Sequence, residues 1–305
     1  MTQPAFSGVY TALITPFLDN GQIDFEAFDK LIESQLQAGV NGLVPCGTTG
    51  ETPTLTDEEQ IQVIQACIKT VNGRVPVIAG GSRNATQAAC DFNRQLAELG
   101  ANASLQCTPW YNKPTQEGLY LHFRAIAESA PLDVVLYNVP SRTGVDLLPE
   151  TVLRLAQDCK NIVAIKEASG SVARSQQILT GLKDIRSDFA VLSGEDTFIL
   201  PLLGMGGHGV ISVISHLAAT EMVEMVNAYA DKNLEQAQNI SARLSNLVPL
   251  MFCQSNPIPV KTAVAAQGLV AENFRLPLCK MSTSDKNDLL YALTADGWLE
   301  GATHA

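Results

Sequence analysis

The chain has 305 residues, 46% of them apolar and 17% charged. That composition builds a large core and excludes a disordered chain. Lys and Arg number 20 against 31 Asp and Glu, a formal charge of −11, which sets the chain against phosphate backbones and anionic membrane surfaces. No apolar run reaches about 18 residues, so no bilayer-spanning helix is expected. No Lys or Arg precedes Lys30 in the segment that opens Met1-Thr2-Gln3-Pro4-Ala5, so no basic leader is expected either.

In chain order, short and nearly continuous apolar runs alternate with helical patterns. Residues 9–15 form the first run. Asp24 can cap a helix carrying Phe25, Phe28, Leu31, Ile32 and Leu36 on one stripe and stopping at Gly39. After the run 42–46, Thr56-Asp57-Glu58-Glu59 reads as a capping box ahead of Ile61, Ile64 and Ile68. The run 75–79 is followed by a helix from Thr86 to Leu99, ended by Gly100. Runs follow at 103–107, 134–137, 162–165, 189–192 and 209–214, with Pro149 near a helix start, where proline is tolerated. Strands buried on both faces read as such continuous runs, and eight of them, each followed by a helix, predict a (β/α)8 TIM barrel. Helical periodicity continues at 217–230, 234–252, 260–268 and 284–299. The first of these completes a barrel over residues 1–232, and the rest form a C-terminal helical domain over 233–305. A doubly wound sheet is the rival fold; it usually has a glycine-rich first turn, which residues 10–17 do not offer.

Barrel enzymes work at the C-terminal ends of their strands. Lys166 closes the run Ile162-Val163-Ala164-Ile165, so alternation places Ile162, Ala164 and Lys166 on one face. If that face is the interior, desolvation lowers the amine's pKa and frees a nucleophile for carbonyls; a solvated lysine, or one paired with Glu167, fits the spacing equally well. Gly47-Thr48-Thr49-Gly50 follows a strand directly, and its hydroxyls and N–H groups could hold a carboxylate, although a plain turn is the simpler reading of that segment alone. Tyr111 and Tyr137 each end a strand and could relay protons or merely pack. Arg142 could fork onto a substrate carboxylate or lie in solvent.

Other motifs lead elsewhere. Gly204-Met205-Gly206-Gly207-His208-Gly209 matches G-x-G-x-x-G but precedes a strand instead of opening a helix. Gly80-Gly81-Ser82 follows too early a strand for the usual phosphate loop of a barrel. His122, His208, His216 and His304 have no metal-ligand spacing with the cysteines, and no metal is expected. The seven cysteines are scattered, with no C-x-x-C pair, as free thiols in a reducing cytoplasm would be.

The segments Gly47-Thr48-Thr49-Gly50-Glu51, Tyr137-Asn138-Val139-Pro140-Ser141-Arg142-Thr143-Gly144, Ile165-Lys166-Glu167-Ala168 and Asn256-Pro257-Ile258-Pro259-Val260-Lys261 closely resemble the dihydrodipicolinate synthase family. These are pyruvate-dependent class I aldolases, a class that includes N-acetylneuraminate lyase, and the likeness runs from about Gly8 to Pro277. The resemblance implies what is usually a homotetramer, a dimer of dimers, acting in diaminopimelate and lysine biosynthesis. It implies that pyruvate and L-aspartate 4-semialdehyde condense to 4-hydroxy-tetrahydrodipicolinate. No cofactor is implied beyond a covalent Schiff base between Lys166 and pyruvate. Thr48, Tyr137 and Tyr111 match the proton relay, with Tyr111 crossing a dimer interface. Thr49 matches the holder of pyruvate's carboxylate, Arg142 the anchor of the aldehyde's carboxylate, Ile211 a residue beside pyruvate, and Gly194 one lining the pocket.

One departure concerns regulation. Gln60, Ala88 and Trp110 stand where lysine-sensitive members place histidine, glutamate and usually tyrosine, while Asn84 is retained, so inhibition by L-lysine is expected to be weak or absent. Two rival functions remain. In an aldolase for sugar acids, a neutral polyhydroxylated aldehyde needs no Arg142. In a non-catalytic sensor, Lys166, Tyr137 and Thr48 would not all be expected to persist.

Overall fold

The computed structural model describes Pro4 and residues 6–300; the rest of the N-terminal pentapeptide and His304 lie outside the described residues. The elements run β1 (Gly8–Ala12), α1 (Phe25–Gln37), β2 (Gly42–Val44), α2 (Asp57–Val71), β3 (Ile78–Gly80), α3 (Thr86–Glu98), β4 (Ala103–Cys107) and α4 (Gln116–Ser129). They continue with β5 (Asp133–Asn138), α5 (Pro140–Thr143), α6 (Pro149–Asp158), β6 (Ile162–Glu167), α7 (Val172–Leu182), β7 (Ala190–Ser193), α8 (Ile199–Gly204) and β8 (Gly209–Ser212). Four helices close the chain: α9 (Ser215–Ala230), α10 (Leu234–Met251), α11 (Ile258–Ala266) and α12 (Thr283–Ala295). The sheet order is β2-β1-β8-β7-β6-β5-β4-β3, and the ladders from β3 to β8 are parallel. Sequential strands with intervening helices are the (β/α)8 barrel with C-terminal helices.

By contacts the chain forms two compact units, Met1–Tyr10 with Pro76–Ser212, and Thr11–Val75 with Val213–Ala305. In the first unit the strands bury both faces. Val134 and Leu136 of β5, Ile165 of β6 and Val191 of β7 join Phe123 and Ile126 of α4 in one apolar cluster. The residues between them on the strands face the other way. Ile162 does not share the face of Ala164 and Lys166. The register slips between Val134 and Val135 where β5 meets β6, pairing Val134 with Ile162 and Val135 with Ala164. Such an irregularity breaks alternation, so Ile162 packs in the same cluster as Ile165, while Ala164 and Lys166 keep the opposite face.

In the second unit, Asp24 caps α1 by accepting from Ala27 N at 3.0 Å. The capping box of α2 is complete: Thr56 Oγ1 accepts from Glu59 N, and Glu59 accepts from Thr56 N. Arg275 then forks onto the Glu59 carboxylate at 2.6 and 2.7 Å. His216 is buried and neutral: its Nε2 accepts from Ile14 N at 3.2 Å, its Nδ1 lies 2.8 Å from Val213 O, and burial pushes its pKa down to about 4.

Candidate active site

The parallel ladders of the first unit align the ends of three strands. Cys107 pairs with Tyr137, Tyr137 with Lys166, and Lys166 with Leu192. In-register neighbours share a face, so the Tyr137 phenol, the Lys166 amine and the Cys107 thiol converge. Lys166 is 7% exposed and Tyr137 8%, and the Lys166 Nζ sits 4.4 Å from the centroid of the Tyr137 ring. Burial pulls the amine down to about 8; Asp196 and Glu195 resist that shift, while the Arg142 guanidinium adds to it. A neutral amine is thereby present in useful amount near neutral pH.

Gly194 makes room for this lysine. A Cβ built there would lie 2.5 Å from Ala168 Cβ, 3.1 Å from Lys166 Cε and 3.2 Å from Glu167 O. Gly194 N also donates to Glu167 O at 2.7 Å, tying the ends of β6 and β7 together. Ile211 lies fully buried on β8. Arg142 stands on the single helical turn α5, exposed, next to Thr143. Thr143 fixes that turn, its Oγ1 lying 3.0 Å from Thr108 Oγ1 and 3.2 Å from Val139 O. Tyr111 stands apart. Its backbone has φ 77°, its N–H donates to Thr143 O at 3.2 Å, and the residue is 90% exposed.

The suggested pairing of Lys166 with Glu167 is not what forms. Alternation turns Glu167 away from the amine, and its carboxylate accepts from Ser169 N at 2.7 Å and Asn138 Nδ2 at 3.1 Å. Asn138 Nδ2 also reaches Asp146 at 2.9 Å, which Arg174 pairs at 2.7 Å. Burial raises the Glu167 pKa. The sequence pattern did not single out Asn138, Glu195 or Asp196; the available signal was their place one or two residues beyond a strand-end candidate.

In the second unit, Thr48 and Thr49 lie on a single 3-10 turn, Thr48–Gly50, beyond β2. Thr48 is half-buried and Thr49 buried. Asn256 Nδ2 donates to Thr49 Oγ1 at 3.0 Å. A hydroxyl that accepts there keeps its own O–H free to donate. Thr15 Oγ1 donates to Gly50 O at 2.7 Å and Thr52 Oγ1 to Gly47 O at 2.8 Å, so the turn is braced from both sides.

The decoy motifs have packing roles. Gly209 has φ 152°, and a Cβ there would fall 2.0 Å from Gly8 O, so this glycine lets β1 and β8 approach. At Gly81 a Cβ would meet Gln106 Nε2 at 2.5 Å, and Ser82 Oγ accepts from Cys107 N. Among the described residues no group of three or more His, Cys, Asp or Glu could hold a metal, and no helix is long and apolar enough to cross a membrane. All seven cysteines are free thiols.

A parallel α/β barrel with a desolvated lysine at a strand end places a nucleophilic amine where barrel enzymes carry their active sites. The model of the dihydrodipicolinate synthetase family matches residues 5–296. A 4-hydroxy-tetrahydrodipicolinate synthase of Endomicrobium trichonymphae is 46% identical over 97% of this chain and 100% of its own. The crystal structure of dihydrodipicolinate synthase from Thermotoga maritima superposes with TM-score 0.94 at 43% identity, covering 96% of this chain and 99% of that one. The chloride-inhibited enzyme from Acinetobacter baumannii, solved in complex with pyruvate, superposes with TM-score 0.91 at 41% identity over 96% and 99%. The chain belongs to the dihydrodipicolinate synthetase family.

Proposed function

We propose that this chain condenses pyruvate with L-aspartate 4-semialdehyde to give 4-hydroxy-tetrahydrodipicolinate, with Lys166 as the nucleophile. The observation that carries the reading is the buried Lys166 amine, lowered to about 8 and stacked on the Tyr137 ring. The neutral Nζ attacks the C2 carbonyl of pyruvate, and loss of water gives an imine. The protonated imine draws electrons from C3, whose proton leaves to form an enamine. C3 then bonds to the aldehyde carbon of the second substrate, and the aldehyde oxygen takes a proton. The substrate's amine attacks C2, closes the ring and expels the Lys166 amine, so no external cofactor is consumed.

The remaining roles follow the family resemblance. Thr49 holds pyruvate's carboxylate, and its acceptance of the Asn256 amide supports a donating hydroxyl there. Tyr137 acts as acid and base at the imine, and Thr48 continues the relay. Ile211 lies beside pyruvate and Gly194 lines the pocket. Tyr111 completes the relay in a second copy of the chain; its 90% exposure supports a residue that serves outside its own fold. That role makes the dimer the smallest complete catalyst, within a dimer of dimers. The free thiols support a reducing, cytoplasmic setting.

Arg142 anchors the semialdehyde's carboxylate, a charge-assisted fork. Arg142→Ala is expected to lower kcat/KM for the aldehyde about 10- to 100-fold while leaving the borohydride-trapped pyruvate adduct intact. Equal loss of both would make Arg142 a structural residue and reopen a neutral aldehyde as substrate. For regulation, Gln60 is buried on α2 with its amide donating to Leu55 O, and Ala88 offers no carboxylate to a lysine ammonium. Isothermal titration with L-lysine is expected to show no micromolar binding; a micromolar isotherm would overturn this.

A further inference from the structure

Two of the motifs that mark the family meet at a point the reaction does not use. Glu51 ends the segment Gly47-Thr48-Thr49-Gly50-Glu51, and Lys261 ends the segment Asn256-Pro257-Ile258-Pro259-Val260-Lys261 on α11. Their side chains form an ion pair in which both are 0% exposed. Every donor direction of the ammonium is used. Lys261 Nζ binds the Glu51 carboxylate, donates to Asn273 O at 2.9 Å, and lies 4.3 Å from the centroid of the Phe17 ring. The second Glu51 oxygen accepts from Arg275 N at 3.2 Å. Solvent does not reach this pair, and neither charge can touch a substrate.

What the pair holds is a strained turn. Glu51 sits in the left-handed region at φ 54°, as does Cys46 at φ 55°, on either side of Thr48 and Thr49. Residues with a Cβ occupy that region only where their surroundings demand it. From this backbone the Glu51 carboxylate bridges Lys261 Nζ and Arg275 N. A second grip lies two residues earlier, where Asn256 donates to Thr49 Oγ1.

We infer that Glu51 and Lys261 are positioning residues for the pyruvate-binding turn: the buried pair locks Thr48 and Thr49 in the geometry that receives pyruvate's carboxylate. The inference rests on the reading of Thr49 as the carboxylate holder. It deepens that reading, because it makes pyruvate affinity depend on a contact with the C-terminal helices.

The test compares both substrates in Glu51→Gln, in Lys261→Met and in the double variant. Glu51→Gln keeps the shape and leaves an amine that can shed its proton, and the double variant leaves no buried charge uncompensated. In each variant that folds, the KM for pyruvate should rise about tenfold or more, as should the pyruvate concentration that half-saturates borohydride trapping. The KM for the semialdehyde, held by Arg142, should change less than twofold. A lower melting temperature and lower kcat with both KM values unchanged would overturn the positioning role, as would failure of all three variants to fold. Failure of the wild-type protein to trap pyruvate would instead sink the reading of the reaction itself.

Discussion

Lys166→Ala is expected to abolish the borohydride-trapped pyruvate adduct and to lower turnover by on the order of 10⁴-fold, about 5 kcal/mol of transition-state stabilisation. The chain holds a second lysine whose pKa burial lowers to about 8, Lys261, so a depressed value alone does not select the nucleophile. Geometry does. Lys261 is fully enclosed and bound to Glu51 and Asn273 O, whereas Lys166 lies at a strand end with space kept open by Gly194. Peptide mapping should therefore find one reduced pyruvate on Lys166 and none on Lys261. The initial rate of trapping should also rise with pH and level off above about pH 8. Below that value protonation removes the nucleophile, and each unit of pH removes about tenfold of the neutral amine. A pH-independent trapping rate, or an adduct on another lysine, would contradict the assignment.

Gly194→Ala is expected to cost on the order of 10²-fold in kcat, the scale on which a misplacement of about 1 Å acts. The new methyl group would fall 2.5 Å from Ala168 Cβ and 3.2 Å from Glu167 O. Neither is the tip of a flexible side chain, so the ends of β6 and β7 must part and carry Lys166 with them. Removing the worst clash in Gly194→Ala/Ala168→Gly should recover much of the lost kcat. Wild-type kcat in the single variant would show that the pocket tolerates the methyl group and that Gly194 has no part in placing the amine.

The eight strands were legible because parallel strands covered on both faces leave continuous apolar runs. Their limits were less so. The first run extends to Thr15, but β1 ends at Ala12; beyond it Leu13 N still donates to Val44 O of β2, while Ile14 N turns to His216 Nε2, so apolarity reports burial and not the length of a strand. The third run begins at Val75, yet β3 starts at Ile78, after Pro76, which cannot donate to a ladder. Lys166 was legible from its place at a strand end. The face of Ile162 was not, because the register slip at Val134/Val135 depends on the neighbouring strand. Glu51 and Lys261 each lay in a recognisable motif, but 210 positions separate them, and nothing local in either motif names the other as partner.

The most direct test incubates the pure protein with pyruvate and L-aspartate 4-semialdehyde and couples the product to dihydrodipicolinate reductase. Rapid NADPH oxidation that requires both substrates, and that disappears in Lys166→Ala, is the predicted result. No oxidation with a competent coupling enzyme would contradict the proposed condensation and turn attention to other aldehyde partners for pyruvate.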